Sequence, residues 1–164
     1  MNILNLENIN AKSPYKVMQL NEFPHLFYFH TDYGVDYEIS IKANDMFVRS
    51  GAFILDIRNI WGQTSPNDIK VRQTLIVIVE ELFSRYNEVL LYITETDDGK
   101  QSFRDRLFVR WFNAYEHHEQ FFIQTAEGKM EGQMNFLAII SRKDNPKLPQ
   151  AIKEFEETIA FLFD

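Results

Sequence analysis

The sequence predicts a single α/β (more narrowly α+β) domain: a mixed, mostly antiparallel sheet of about six to seven strands with helices packed on it. Three observations carry this. Val35, Tyr37, Ile39 and Ile41 alternate with Asp36, Glu38, Ser40 and Lys42, the period of a strand with one buried and one wet face. The apolar run Val89–Ile93 has the composition of a buried strand and leads, through Asp97-Asp98-Gly99, into Phe103, Leu107, Phe108, Trp111, Phe112 and Tyr115 at helical spacing. Finally, Val71, Leu75, Ile78, Val79, Leu82 and Tyr86 hold helical register, so the β-branched stretch between them reads as helix.

Taken in order, residues 1–14 are Asn-rich and weakly periodic, which predicts a loose arm before the domain proper at 15–164. Tyr15 to Leu20, bounded by Pro14, is a candidate first strand. LFYFHT from Leu26 is rich in strand formers and meets the alternating stretch across Asp32-Tyr33-Gly34, so a hairpin is expected. AFILDIRNI, Ala52 to Ile60, is the next strand. Ser65 then offers an N-cap, Pro66 a first helical residue and Asp68 a carboxylate for the positive end of a helix running to about Tyr86. After the aromatic helix, Gln120–Ala126 and Met134–Arg142 read as strands joined through the glycine turns Glu127-Gly128-Lys129 and Glu131-Gly132. Pro146 and Pro149 precede a last helix, about Gln150 to Leu162, striped by Ile152, Phe155, Ile159 and Leu162. No linker or repeat divides the chain.

The totals exclude several classes of function. A formal charge of −7 over 164 residues disfavours nucleic acid, because phosphate binding requires a basic surface. Without cysteine there is no disulfide, thiol nucleophile or thiolate metal site. The first residues carry no basic region before an apolar core, and no apolar run reaches the length of a membrane span. A cytoplasmic protein with no membrane partner is the expectation. An exposed edge strand would allow a homodimer by sheet-to-sheet pairing.

The order strand, hairpin, strand, helix, strand, helix, hairpin resembles the core of the GCN5-related acetyltransferase superfamily. In that comparison, the helix segment Gln101, Arg104, Leu107 and Phe108 stands where the superfamily has an N-x-x-A-x-x-L-Y-type series. The tyrosine that often serves as general acid is then replaced by Phe108. The cofactor loop Q/R-x-x-G-x-G/A corresponds to Arg58-Asn59-Ile60-Trp61-Gly62-Gln63, followed by Thr64-Ser65-Pro66. Such a loop holds pyrophosphate through backbone amides freed by glycine; an indole and a proline do not suit that cradle. The resemblance therefore implies the fold with no cofactor, or alternatively an acyltransferase that takes acetyl-CoA in a non-standard pocket. More narrowly, L-L-Y-x-x-x-x-x-D-G-K-Q-x-x-R-x-R-L-F-x-R-W-F is similar to a bacterial family of small single-domain proteins of unknown function. From this comes the expected role: a non-catalytic binding or regulatory module with a protein partner or a small-molecule ligand.

The richest polar cluster is Asp97, Asp98, Arg104, Arg106 and Arg110 beside Trp111. Arg106 and Arg110 are one helical turn apart, and guanidinium forks suit carboxylate or phosphate; the alternative is a set of ordinary surface ion pairs. His117 and His118 are adjacent, which splays their rings on a helix, so a metal site is not expected. His25 and His30, five apart on a strand, fall on opposite faces. Asp56 shares a face with Arg58 and is expected to pair with it. No serine sits in a nucleophile-elbow context, and no phosphate-binding loop is present.

Overall fold

A computed structural model describes residues 4–47, 49–62, 68–95, 110, 112–114 and 118–163. Among these, an α+β fold is seen, with three α-helices and a mixed, open six-stranded sheet. The elements are α1 (Leu6–Lys12), β1 (Leu26–His30), β2 (Asp36–Asn44), β3 (Ala52–Asn59), α2 (Ile69–Arg85), β4 (Val89–Glu95), β5 (Phe121–Met130), β6 (Gln133–Arg142) and α3 (Leu148–Leu162). Strand order is β1-β2-β3-β4-β6-β5. The chain divides into two compact units, Met1–Lys42 with Asp56–Tyr86 and Ala43–Leu55 with Asn87–Asp164.

In the first unit, β1 and β2 form the expected hairpin, Phe27 opposite Ile39 and His30 opposite Asp36. Its turn is held by Thr31, whose Oγ1 accepts from Val35 N–H, and Gly34 takes φ +76°, which a glycine adopts without strain. Phe27, Phe29, Val35, Ile39 and Ile41 are buried, as the alternation required. The rings of Tyr15, Phe29 and Tyr37 stack in succession, with centroids 5.9 and 5.4 Å apart. Helix α2 buries Val71, Leu75, Ile78, Val79 and Leu82, the face its register predicted.

Two expectations in this unit are corrected. The arm expected to be loose contains α1, capped by Asn5 Oδ1 accepting from Asn8 N–H and packed on α2, with Leu4 and Ile9 fully enclosed. Local periodicity in so short a helix is faint; tertiary burial stabilises it. Tyr15–Leu20 is not a strand: it makes one isolated bridge, Met18 to Tyr28, because Asn10 bonds both backbone groups of Val17.

The second unit is built on β4, parallel to β3 over Ala52–Leu55 and antiparallel to β6. Val89, Leu90, Leu91 and Tyr92 are all buried, so β4 is covered on both faces. Phe47, Ala52, Val89, Leu91, Leu137 and Ile139 form a core with Ala151 and Phe155 of α3. Strand β5 runs to Met130, beyond the expected end at Ala126. The turn is Glu131-Gly132 alone, both at positive φ (53° and 83°), the geometry of a two-residue hairpin. Gly128 is no turn residue; the ring of Phe163 lies over it where a Cβ would sit. Of the predicted aromatic helix, Phe112 is described: it is buried, edge-on to Phe121 at 5.3 Å. Phe103, Leu107, Phe108, Trp111 and Tyr115 lie outside the described residues.

Candidate functional site

The β1–β2 hairpin sends alternate side chains to its second face, away from Phe27, Phe29 and Ile39. Pairing places Tyr28 opposite Glu38 and His30 opposite Asp36. Arg58, from β3, reaches Glu38 with Nη2 to Oε2 at 3.0 Å. His30 Nδ1 lies 2.6 Å from Asp36 Oδ1. A carboxylate only accepts, so Nδ1 carries the proton in this bond and Nε2 is the remaining ring nitrogen. Trp61 Nε1–H donates to the second oxygen, Asp36 Oδ2, at 3.0 Å. These bonds, His30 first and Trp61 second, hold the Asp36 carboxyl below the usual carboxylate range. Burial, then the neighbouring Glu38 charge, raises the Tyr28 phenol.

The charges here are matched with one exception. Glu38 has Arg58, and Asp32 in the hairpin turn has Lys70, Nζ to Oδ2 at 2.8 Å. Among the described residues, Asp36 has only a histidine, which is charged only when protonated. Beside it stands Trp61, 69% exposed; Tyr33, 60% exposed, lies in the turn of the same hairpin. The arrangement offers one indole surface, one fixed carboxylate and one imidazole edge.

A separate network closes the start of α2. Asp68 is its N-cap: Oδ1 accepts from Lys70 N–H at 2.9 Å, and Oδ2 accepts from the Tyr15 hydroxyl at 2.5 Å. The Tyr15 oxygen in turn accepts from Asp32 N–H at 3.2 Å. Both Tyr15 and Asp68 are buried. Burial first, and the hydrogen bond to Asp68 second, push the Tyr15 phenol up to about 12. Ser65 and Pro66, where the sequence places the helix start, lie outside the described residues. Helix α2 begins at Ile69, because Asp68 has extended backbone and bonds the first-turn amide.

Of the residues singled out from sequence, Arg110 is exposed and helical, its carbonyl accepting from Ala114 N–H. Asp97, Asp98, Arg104, Arg106 and Trp111 lie outside the described residues. Asp56 is exposed, and Arg58 pairs across the sheet with Glu38 instead of along its own strand. Cross-strand neighbours are closer than residues two apart on one strand. His25 precedes β1 rather than sharing it. Sequence reasoning missed the His30–Asp36–Trp61 constellation. Its signal was present: residues 30 and 36 are equidistant from Tyr33 at the centre of the predicted turn, so they face each other.

One protein-family model matches, over residues 67–157, more than half of the chain. Its description is a family of unknown function. No curated protein and no solved structure matches. Among the described residues, no helix is long and apolar enough to cross a membrane, and no group of three or more His, Asp or Glu is placed to hold a metal ion.

Proposed function

The chain belongs to this family of unknown function (DUF6169), and on that premise we propose that it is a non-catalytic binding module. It meets a protein partner through the second face of the β1–β2 hairpin, around Trp61, Tyr33 and His30. The observation that supports binding is the exposure of Trp61 beside a carboxylate already fixed in place. Interfaces draw their strongest contacts from tryptophan, tyrosine and arginine anchors.

The rival is an acyl-CoA-dependent transferase, favoured by the element order. In such an enzyme the pyrophosphate sits at a helix N-terminus, where free amides and the helix dipole attract it. Here the side chain of Asp68 occupies that end of α2. A second anion would have to displace a buried, doubly bonded carboxylate, against like-charge repulsion. Arg58 and Trp61, on the approach to that helix, are bonded to Glu38 and Asp36.

Thermal unfolding with acetyl-CoA separates the two readings. A site filled at 100 times Kd stabilises a protein by about 2.7 kcal/mol. The binding-module reading expects no rise in melting temperature at millimolar acetyl-CoA; a saturable rise would overturn it.

A further inference from the structure

We propose that the Trp61–Asp36 pair recognises a cationic side chain, an arginine or lysine presented by the partner protein. This rests on the binding-module reading and names the chemistry of its contact. A lone exposed aromatic is ordinary on a protein surface, but Trp61 is not merely exposed. Its Nε1–H is bonded to Asp36, which anchors one edge of the indole while 69% of the residue stays accessible. A ring held in place beforehand loses less freedom on binding. Its face carries the negative side of the aromatic quadrupole and attracts a cation.

The neighbouring charge has the same preference. Glu38 and Asp32 are neutralised by Arg58 and Lys70, whereas among the described residues Asp36 faces only the ionisable side chain of His30. Each oxygen of Asp36 accepts one bond, from Nδ1 of His30 or Nε1 of Trp61. A carboxylate has about four acceptor directions, so two remain for an incoming guanidinium or ammonium. Guanidinium suits the site better, since it stacks flat on an indole and donates in its own plane to a carboxylate. An anionic ligand would meet the Asp36 charge unshielded. The net charge of −7 draws basic partners to the protein at longer range.

Calorimetric titration of the full chain with a short oligoarginine peptide tests this, with an oligoglutamate peptide in parallel. Trp61→Ala and Asp36→Asn should each weaken oligoarginine binding about tenfold (about 1.4 kcal/mol). Trp61→Phe, which keeps a ring, should recover part of the loss. Glu156→Gln, on the exposed side of α3, removes one charge far along the chain and should leave affinity within about twofold. Absence of oligoarginine binding, or equal weakening by Glu156→Gln and Trp61→Ala, would overturn the proposal, the latter by showing diffuse attraction to an acidic protein. Trp61-dependent binding of oligoglutamate would overturn the cationic class and leave the surface itself in place as the binding face.

Discussion

Asp68→Ala is expected to lower the stability of the protein by about 1.5–5 kcal/mol, one of the two largest effects expected of a single substitution. Two losses add. Removing a helix N-cap costs about 0.5–2 kcal/mol, and the buried Tyr15 hydroxyl loses its acceptor, worth about 1–3 kcal/mol. Asp68→Asn keeps a capping oxygen and should retain most of the stability. Tyr15→Phe and Asp68→Ala act on one bond, so in urea unfolding their effects should sum to more than the double variant shows. The same bond makes a prediction in alkali. The Tyr15 phenol is raised in the folded protein to about 12 from an ordinary value of 10.0. A raised pKa stabilises the fold below the unfolded value, and the contribution disappears as pH climbs through the folded one. Stability should therefore fall between pH 10 and 12, and the fall should be shallower in Tyr15→Phe.

Glu154→Ala is expected to cost a similar amount, about 2–4 kcal/mol, in the other unit. Glu154 projects from α3 and is buried; its two oxygens accept from Ser50 N–H at 2.9 Å and Arg49 N–H at 3.3 Å. These amides belong to the turn that leads into β3. Alanine leaves both without an acceptor; the Ser50 amide is buried, where an unpaired amide costs about 1–3 kcal/mol, and the more exposed Arg49 amide adds less. Glutamine keeps one acceptor and should lose less than half as much. Ser50 supplies the internal control. Among the described residues its buried Oγ has no hydrogen-bond partner, so Ser50→Ala removes an unsatisfied group and should be neutral or slightly stabilising. A destabilised Ser50→Ala would show that the hydroxyl has a role in this turn beyond the bonds seen.

Much of the fold was legible in the sequence because its strands sort polar from apolar side chains cleanly. Val35 to Lys42 alternates as written, and Val89 to Tyr92 is apolar throughout because both faces of β4 are covered. The misses share a cause: a local signal was overridden by contacts distant in sequence. Gly128 looked like a turn residue, yet it is a strand glycine under the Phe163 ring. Asp68 looked like a first-turn carboxylate, yet it is the cap of α2 and is bonded by Tyr15, far earlier in the chain. Helix α1 was hidden because its burial against α2 cannot be seen from its own residues.

The candidate site was less legible. The acidic and arginine cluster drew attention by its composition, whereas the face around Asp36 is assembled from β1, β2 and the residues after β3. Only strand register brings His30 to Asp36, and only the chain's path after Asn59 brings Trp61 to the same carboxylate. By alternation alone Asp36 is simply a polar residue on the wet side of a strand. That reading was correct, and it did not reveal that the residue organises its neighbours.

In the proposed function, a protein partner docks at the hairpin face around Trp61. A photo-crosslinking residue in place of Tyr33, in the full chain inside its native cells, tests it most directly, with the same residue in place of Phe161 (87% exposed) as control. The account predicts one discrete crosslinked product from position 33 that disappears with Trp61→Ala, and no such product from position 161. The same product from both positions, or one from position 33 that survives Trp61→Ala, would contradict it.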